Sequence, residues 1–64
     1  MTQETLTHLE FREMREKMRL TQEELANELG ISRRTIVRLE NREIDISRVT
    51  SLAMQKLYDD FLYA

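Results

Sequence analysis

Cysteine is absent from this 64-residue chain, and no residues cluster at metal-ligand spacing. Neither disulfides nor a bound metal can therefore staple the fold. The absence of cysteine also fits a reducing compartment, and a cytoplasmic location is expected. Proline is missing too, and glycine occurs once, at Gly30. With no proline, no Gly/Ser-rich stretch, no repeat and no low-complexity tract, nothing reads as a linker. The length allows one domain, residues 1–64. No apolar run approaches the roughly 20 residues of a membrane span, and no signal peptide is expected. Carboxylates are plentiful, but no nucleophile and base are spaced to organise them, so no enzyme is expected. No cofactor and no small-molecule ligand are expected either. A chain this short leaves about 40% of its unfolded-state surface exposed, so its core is marginal. With staples excluded, self-association is the remaining device, and a homodimer is expected.

What is present is organised around Gln22 to Leu39, QEELANELGISRRTIVRL. Thr21 is a good N-cap, and Glu24 three residues later completes a capping box. Leu20 and Leu25 bracket that start as a hydrophobic staple. Leu25, Ala26 and Leu29 share one helical face. Gly30 should end this helix, because a residue without Cβ accepts the left-handed conformation. Ser32 then caps a second helix, with Ile31 and Ile36 as its staple. Ile36 and Leu39 give that helix a buried side, and Arg33, Arg34, Val37 and Arg38 lie mostly on the other. The unit is a helix-turn-helix.

Leu25, Ala26, Leu29, Gly30, Ile31, Ile36 and Leu39, with a leading Gln22 and a trailing Leu39-Glu40-Asn41, carry a resemblance. The stretch resembles the helix-turn-helix of the phage repressor and Cro proteins, the Xre family, with Phe11, Met14 and Arg15 fitting its first helix. The resemblance covers about Phe11 to Arg42. It implies an all-α, lambda-repressor-like bundle of four helices, with five as the alternative, that binds double-stranded DNA.

Net charge is −2, which alone argues weakly against nucleic acid. The distribution says more. Arg33, Arg34, Arg38 and Arg42 stand against the single acid Glu40 between Ile31 and Arg42, while most acids lie elsewhere. A basic helix on an acidic body can orient a protein on a duplex. The plain alternative is a solvated face that balances nearby glutamates. By resemblance, Arg33, Arg34 and Arg38 read bases from the major groove, where a guanidinium can bond guanine O6 and N7. Thr35 and Val37 are candidates for contact with a thymine methyl, Thr35 also for phosphate. Gln22 is expected to fix a phosphate at a helix start, as an alternative to an ordinary first-turn residue. Ser32, Asn41 and Arg42 complete the expected phosphate set, and Asn41 can also serve as a left-handed C-cap. Arg15 is expected to pair with Glu40 rather than with neighbouring glutamates. Arg19 and Arg42 stand where relatives often have glycine, so the turn before Leu20 should be less tight. Glu43 departs from a frequent basic residue.

The flanks are less marked. Residues 1 to 19 read as one helix with an extended start, capped by Thr2 or Thr5. Leu6, Leu9, Phe11, Met14 and Met18 supply its apolar positions, and the methionines read as core filler. His8 stands alone and is expected at the surface. Beyond Glu43 the resemblance fails. Asp45 or Ser47 should cap one helix running to about Tyr63, with residues 45–63 contributing to dimerisation. Ile46, Val49, Leu52, Ala53, Leu57 and Phe61 form its broad stripe. Met54, Leu57, Tyr58, Phe61 and Leu62 are the expected dimer contacts. The alternative is a monomer whose last helix only completes the core.

Two functions from different classes follow. One is a sequence-specific transcriptional regulator, most simply a repressor that binds a palindromic operator. Its compactness suits a phage or mobile-element autorepressor acting in a prokaryotic cytoplasm. The other is a protein-interaction module, antitoxin-like or coactivator-like, that uses its apolar C-terminal helix on a different protein.

Overall fold

A hydroxyl stands at the start of every helix in the described part of the chain. The computed structural model describes residues 5–64. It contains α1 (His8–Lys17), α2 (Gln22–Leu29), α3 (Arg33–Glu40) and α4 (Arg48–Tyr63), with no strand among the described residues. Thr7, Thr21, Ser32 and Ser47 each accept a hydrogen bond from the amide three residues on, at 3.0–3.1 Å. At α1 and α2 the exchange is reciprocal. Glu10 accepts from the Thr7 amide and Glu24 from the Thr21 amide, both at 2.8 Å. Each such cap is worth about 1 kcal/mol, which matters where helices are too short to persist alone.

Three helices also end by one device. Arg19 (φ 58°), Gly30 (φ 72°) and Arg42 (φ 61°) turn left-handed. The next amide then reaches five residues back: Leu20 to the Arg15 carbonyl, Ile31 to Ala26 and Glu43 to Arg38, at 2.9–3.3 Å. A Cβ at Gly30 would meet nothing within 4 Å, so only the backbone conformation favours glycine there. The looser turn expected at Arg19 is not what forms. It closes as Gly30 does, because the backbone bonds hold an arginine in the same conformation. The left-handed residue after α3 is likewise Arg42, not Asn41, whose φ is −87°.

These helices bury Phe11, Met18, Leu25, Ala26, Ile36, Leu39, Ile46 and Met54 in one cluster. Leu20 and Ile31, the outer members of the two staples, pack on its edge. α2 packs chiefly on α3, and α1 and α4 close the remaining sides. None of the helices described is long and apolar enough to cross a membrane.

The ends differ from expectation. Thr2 lies outside the described residues, and Thr5 caps nothing; Thr7 begins α1. The reason is a long-range bond. The Leu6 amide donates to Ser51 Oγ at 3.0 Å, which draws residues 5–7 out along α4. Leu9 consequently points outward. His8 is half-buried rather than a free surface residue, because its Nδ1 lies 2.7 Å from the Leu39 carbonyl oxygen. That bond requires the proton on Nδ1.

α4 begins after Ser47, not Asp45. Its buried side centres on Ser51 and Met54, both fully buried, with Leu57 and Tyr58 half-buried beside them. Val49, Leu52 and Ala53, assigned with Leu57 and Phe61 to one stripe, face outward instead. The helix is apolar on too many sides for periodicity to choose its inner face. Met54 thus lies in the protomer's own core and is unavailable to a partner.

Ser51 is a fully buried polar residue, and its oxygen satisfies the Leu6 amide. Ser51→Ala is expected to lower stability by about 1–2 kcal/mol, since it leaves that amide without its partner. Urea unfolding checks this; a loss below about 0.3 kcal/mol would mean that water replaces the hydroxyl without penalty.

Candidate nucleic-acid interface

α3 is amphipathic in a simple way. Successive side chains turn by about 100°, so burying Ile36 and Leu39 places Arg34, Val37, Arg38 and Asn41 on the opposite ridge. Arg33 and Thr35 flank that ridge on its two sides. Arg33, Arg34, Arg38, Asn41 and Arg42 are exposed, and Val37 and Thr35 are half-buried. The helix dipole points its positive end toward Arg33. Ser32 and Thr35 are tied locally: Ser32 Oγ accepts from the Thr35 amide and lies 2.9 Å from Thr35 Oγ1.

The single acid of this stretch does not neutralise the ridge. Glu40 points back into the protein, where its side chain is 4% exposed. Arg15 Nε donates to Glu40 Oε2 at 2.6 Å and Arg15 Nη2 to Oε1 at 3.0 Å, a bidentate pair. The remaining Arg15 nitrogen, Nη1, donates to the Leu20 carbonyl at 2.9 Å. The hydrogen bond it donates to Glu40, reinforced by the carboxylate's charge, holds the Arg15 guanidinium above its ordinary pKa against the opposing effect of burial. Every unit of positive charge on the outward ridge is therefore left for solvent or a ligand, apart from one loose contact. Arg38 Nε lies 3.8 Å from Glu43 Oε1, with both side chains about half exposed. Such a pair holds by less than about 1 kcal/mol and yields readily to a better acceptor.

Gln22 joins the same network. Its Nε2 donates to Glu40 Oε1 at 3.1 Å. The carboxamide is half-buried and oriented, with a second N–H still unspent. Gln22 sits at the first position of α2, where backbone amides lack helical partners. One buried carboxylate thus fixes α1, the start of α2 and the end of α3 relative to one another.

A family model described as helix-turn-helix matches residues 11–59. The chain belongs to the Xre/Cro-type helix-turn-helix family. That family is a DNA-binding one and not an enzyme family, and the chain is accordingly a DNA-binding regulator. No individual curated protein and no solved structure matches it. The matched region runs past Glu43 into α4, so the family relation extends beyond the Phe11–Arg42 stretch that carries the resemblance. In this helix-turn-helix protein α2 and α3 are the paired helices, and Gly30 stands at their turn.

The expected dimer residues divide. Met54 is internal. Leu57 and Tyr58 are half-buried at the edge of the core, and Tyr58 stacks on Phe61 with ring centroids 6.3 Å apart. Phe61 and Leu62 remain about half exposed, and Val49 and Tyr63 more so. Periodicity missed two ties that steady α3. His8 grips the Leu39 carbonyl and Glu43 leans on Arg38, contacts that no spacing rule would have suggested for the first of them.

Removing one member of the buried pair should be worse than removing both. Glu40→Leu is expected to cost about 3 kcal/mol, because it strands the Arg15 guanidinium, whereas Arg15→Leu/Glu40→Leu loses clearly less. Denaturant unfolding of Glu40→Leu, Arg15→Leu and the double variant checks the cycle. Additive losses would mean that the two side chains do not depend on each other.

Proposed function

We propose that this regulator is a repressor that binds a palindromic operator as a homodimer, with α3 in the major groove. The observation that carries it is the α3 ridge: exposed Arg34 and Arg38 opposite buried Ile36 and Leu39, with the nearby acid Glu40 turned inward. Arg33, Arg34 and Arg38 contact base edges, and a guanidinium that bonds guanine O6 and N7 contributes about 1–3 kcal/mol of discrimination. Val37 and the Thr35 methyl lie beside them for a thymine methyl. Gln22, oriented by Glu40, contacts a phosphate with its second N–H, and Ser32, Asn41 and Arg42 contact the backbone around the groove. Repression follows from occupancy of a promoter site.

Dimerisation runs through α4. Leu57, Tyr58, Phe61 and Leu62, with outward Val49, Leu52 and Tyr63, make up more apolar surface than one small protomer uses. A two-fold dimer matches two half-sites about one DNA turn apart, roughly 34–36 Å between recognition helices. Met54, expected on the contact face of α4 in either reading, is buried, so that face is smaller for a second copy and for a different protein alike.

Selection of sites from random duplex DNA at near-physiological salt tests this directly. A two-fold symmetric consensus with guanines in each half is expected; no enrichment would remove specific readout. Arg34→Ala and Arg38→Ala should each relax preference at one base position, and Gln22→Ala should weaken all sequences alike. A uniform loss for all three would abolish the distinction between base readers and phosphate anchors.

Placing a charge in the dimer face separates its role from the fold. Phe61→Asp or Leu62→Asp is expected to give a monomer by sedimentation, with a helical content unchanged by circular dichroism. A variant that remains dimeric would exclude this end of α4 from the interface.

A further inference from the structure

We propose that Arg19 and Arg42 act together as a clamp on the DNA backbone at the C-terminal end of α3, and that arginine rather than glycine stands at each of these left-handed helix closures for its side chain's sake. The proposal rests on the reading that α3 enters the major groove, and it adds Arg19, which no base-reading or phosphate role had included.

Both residues adopt positive φ, at 58° and 61°. Residues with a Cβ are disfavoured there, and the third position of this kind, Gly30, shows the unstrained solution. An intramolecular contact of the side chain could offset that strain, but neither arginine makes one. Among the described residues neither takes part in an ion pair or a side-chain hydrogen bond, and both are exposed. A cation near a helix C-terminus is favourable, yet Arg15 and Lys17 on α1 and Arg38 on α3 already supply one from ordinary helical positions. The left-handed turn itself serves the closure of each helix, but no side-chain contact inside the molecule accounts for arginine rather than glycine at it.

The two turns stand side by side. Arg15 donates to the carbonyl of Leu20, directly after Arg19, and to Glu40, two residues before Arg42. A single guanidinium thus ties the turn after α1 to the last residue of α3, and an exposed arginine stands next to each of these points in the chain. Arg42 is exposed two residues beyond the last residue of α3. A duplex that holds α3 in its groove passes a sugar–phosphate strand across the end of that helix. Two guanidinium groups there suit phosphate oxygens, which accept paired N–H donors, and carry no base preference.

Replacement by glycine gives opposite signs for the two properties at stake. Arg19→Gly and Arg42→Gly, singly and together in the full chain, are expected to raise Tm by a few degrees by relieving the backbone. Each should weaken binding about 3–10-fold, equally for a selected site and for an unrelated duplex of the same length. Each should also make the dependence of log K on log salt shallower by about 0.9. A raised Tm with unchanged affinity and salt dependence would reduce both arginines to surface charge. A lowered Tm would give them a structural role, and a changed base preference would make them readers of sequence; either overturns the clamp. Failure of the unaltered chain to bind any duplex would instead overturn the DNA reading beneath it.

Discussion

The carboxylate of Glu40 is the constraint on which the basic outer surface of α3 depends. It lies in the chain among arginines that point outward, yet it points inward and accepts from Arg15 and Gln22. Taking a carboxylate out of water is unfavourable unless its oxygens are fully used, and here they accept from three nitrogens. The same arrangement removes the only acid of α3 from the outer face. Charge separation and helix orientation thus come from one side chain. The core beneath is small, so the angle between α2 and α3 cannot be left to apolar packing alone.

Around that point the helices are built from local signals. Every N-cap and every left-handed closure uses residues within five positions of one another. This is why α2, the Gly30 turn and α3 were legible in the sequence to within a residue. Capping boxes and a lone glycine specify backbone geometry directly, and the buried pair Ile36 and Leu39 leaves α3 one possible outer face. The outer ridge was readable for the same reason.

What was not legible depends on residues far apart in the chain. Thr7 rather than Thr5 starts α1 because Leu6 is held by Ser51, 45 residues away. His8 is drawn in by a carbonyl 31 residues away. α4 is apolar around most of its circumference, so only the surface it meets decides that Ser51 and Met54 turn inward and Leu52 outward. A serine at the centre of a buried face reads as polar until its partner amide is known. Left-handed arginines are similarly invisible, because a sequence shows where glycine is missing but not whether the backbone still takes its conformation.

The bond between Leu6 and Ser51 has a consequence for the order in which the chain becomes structured. α1, α2 and α3 can find one another through near neighbours, and contacts of that kind form quickly. The Leu6 amide, however, has no such partner until α4 arrives, and α4 follows the other three helices in the chain. A nascent chain stopped before Ser51 leaves Leu6 and the open side of the core in water. First and last elements then close the fold in one step, so the protein should gain or lose its structure as a single cooperative unit.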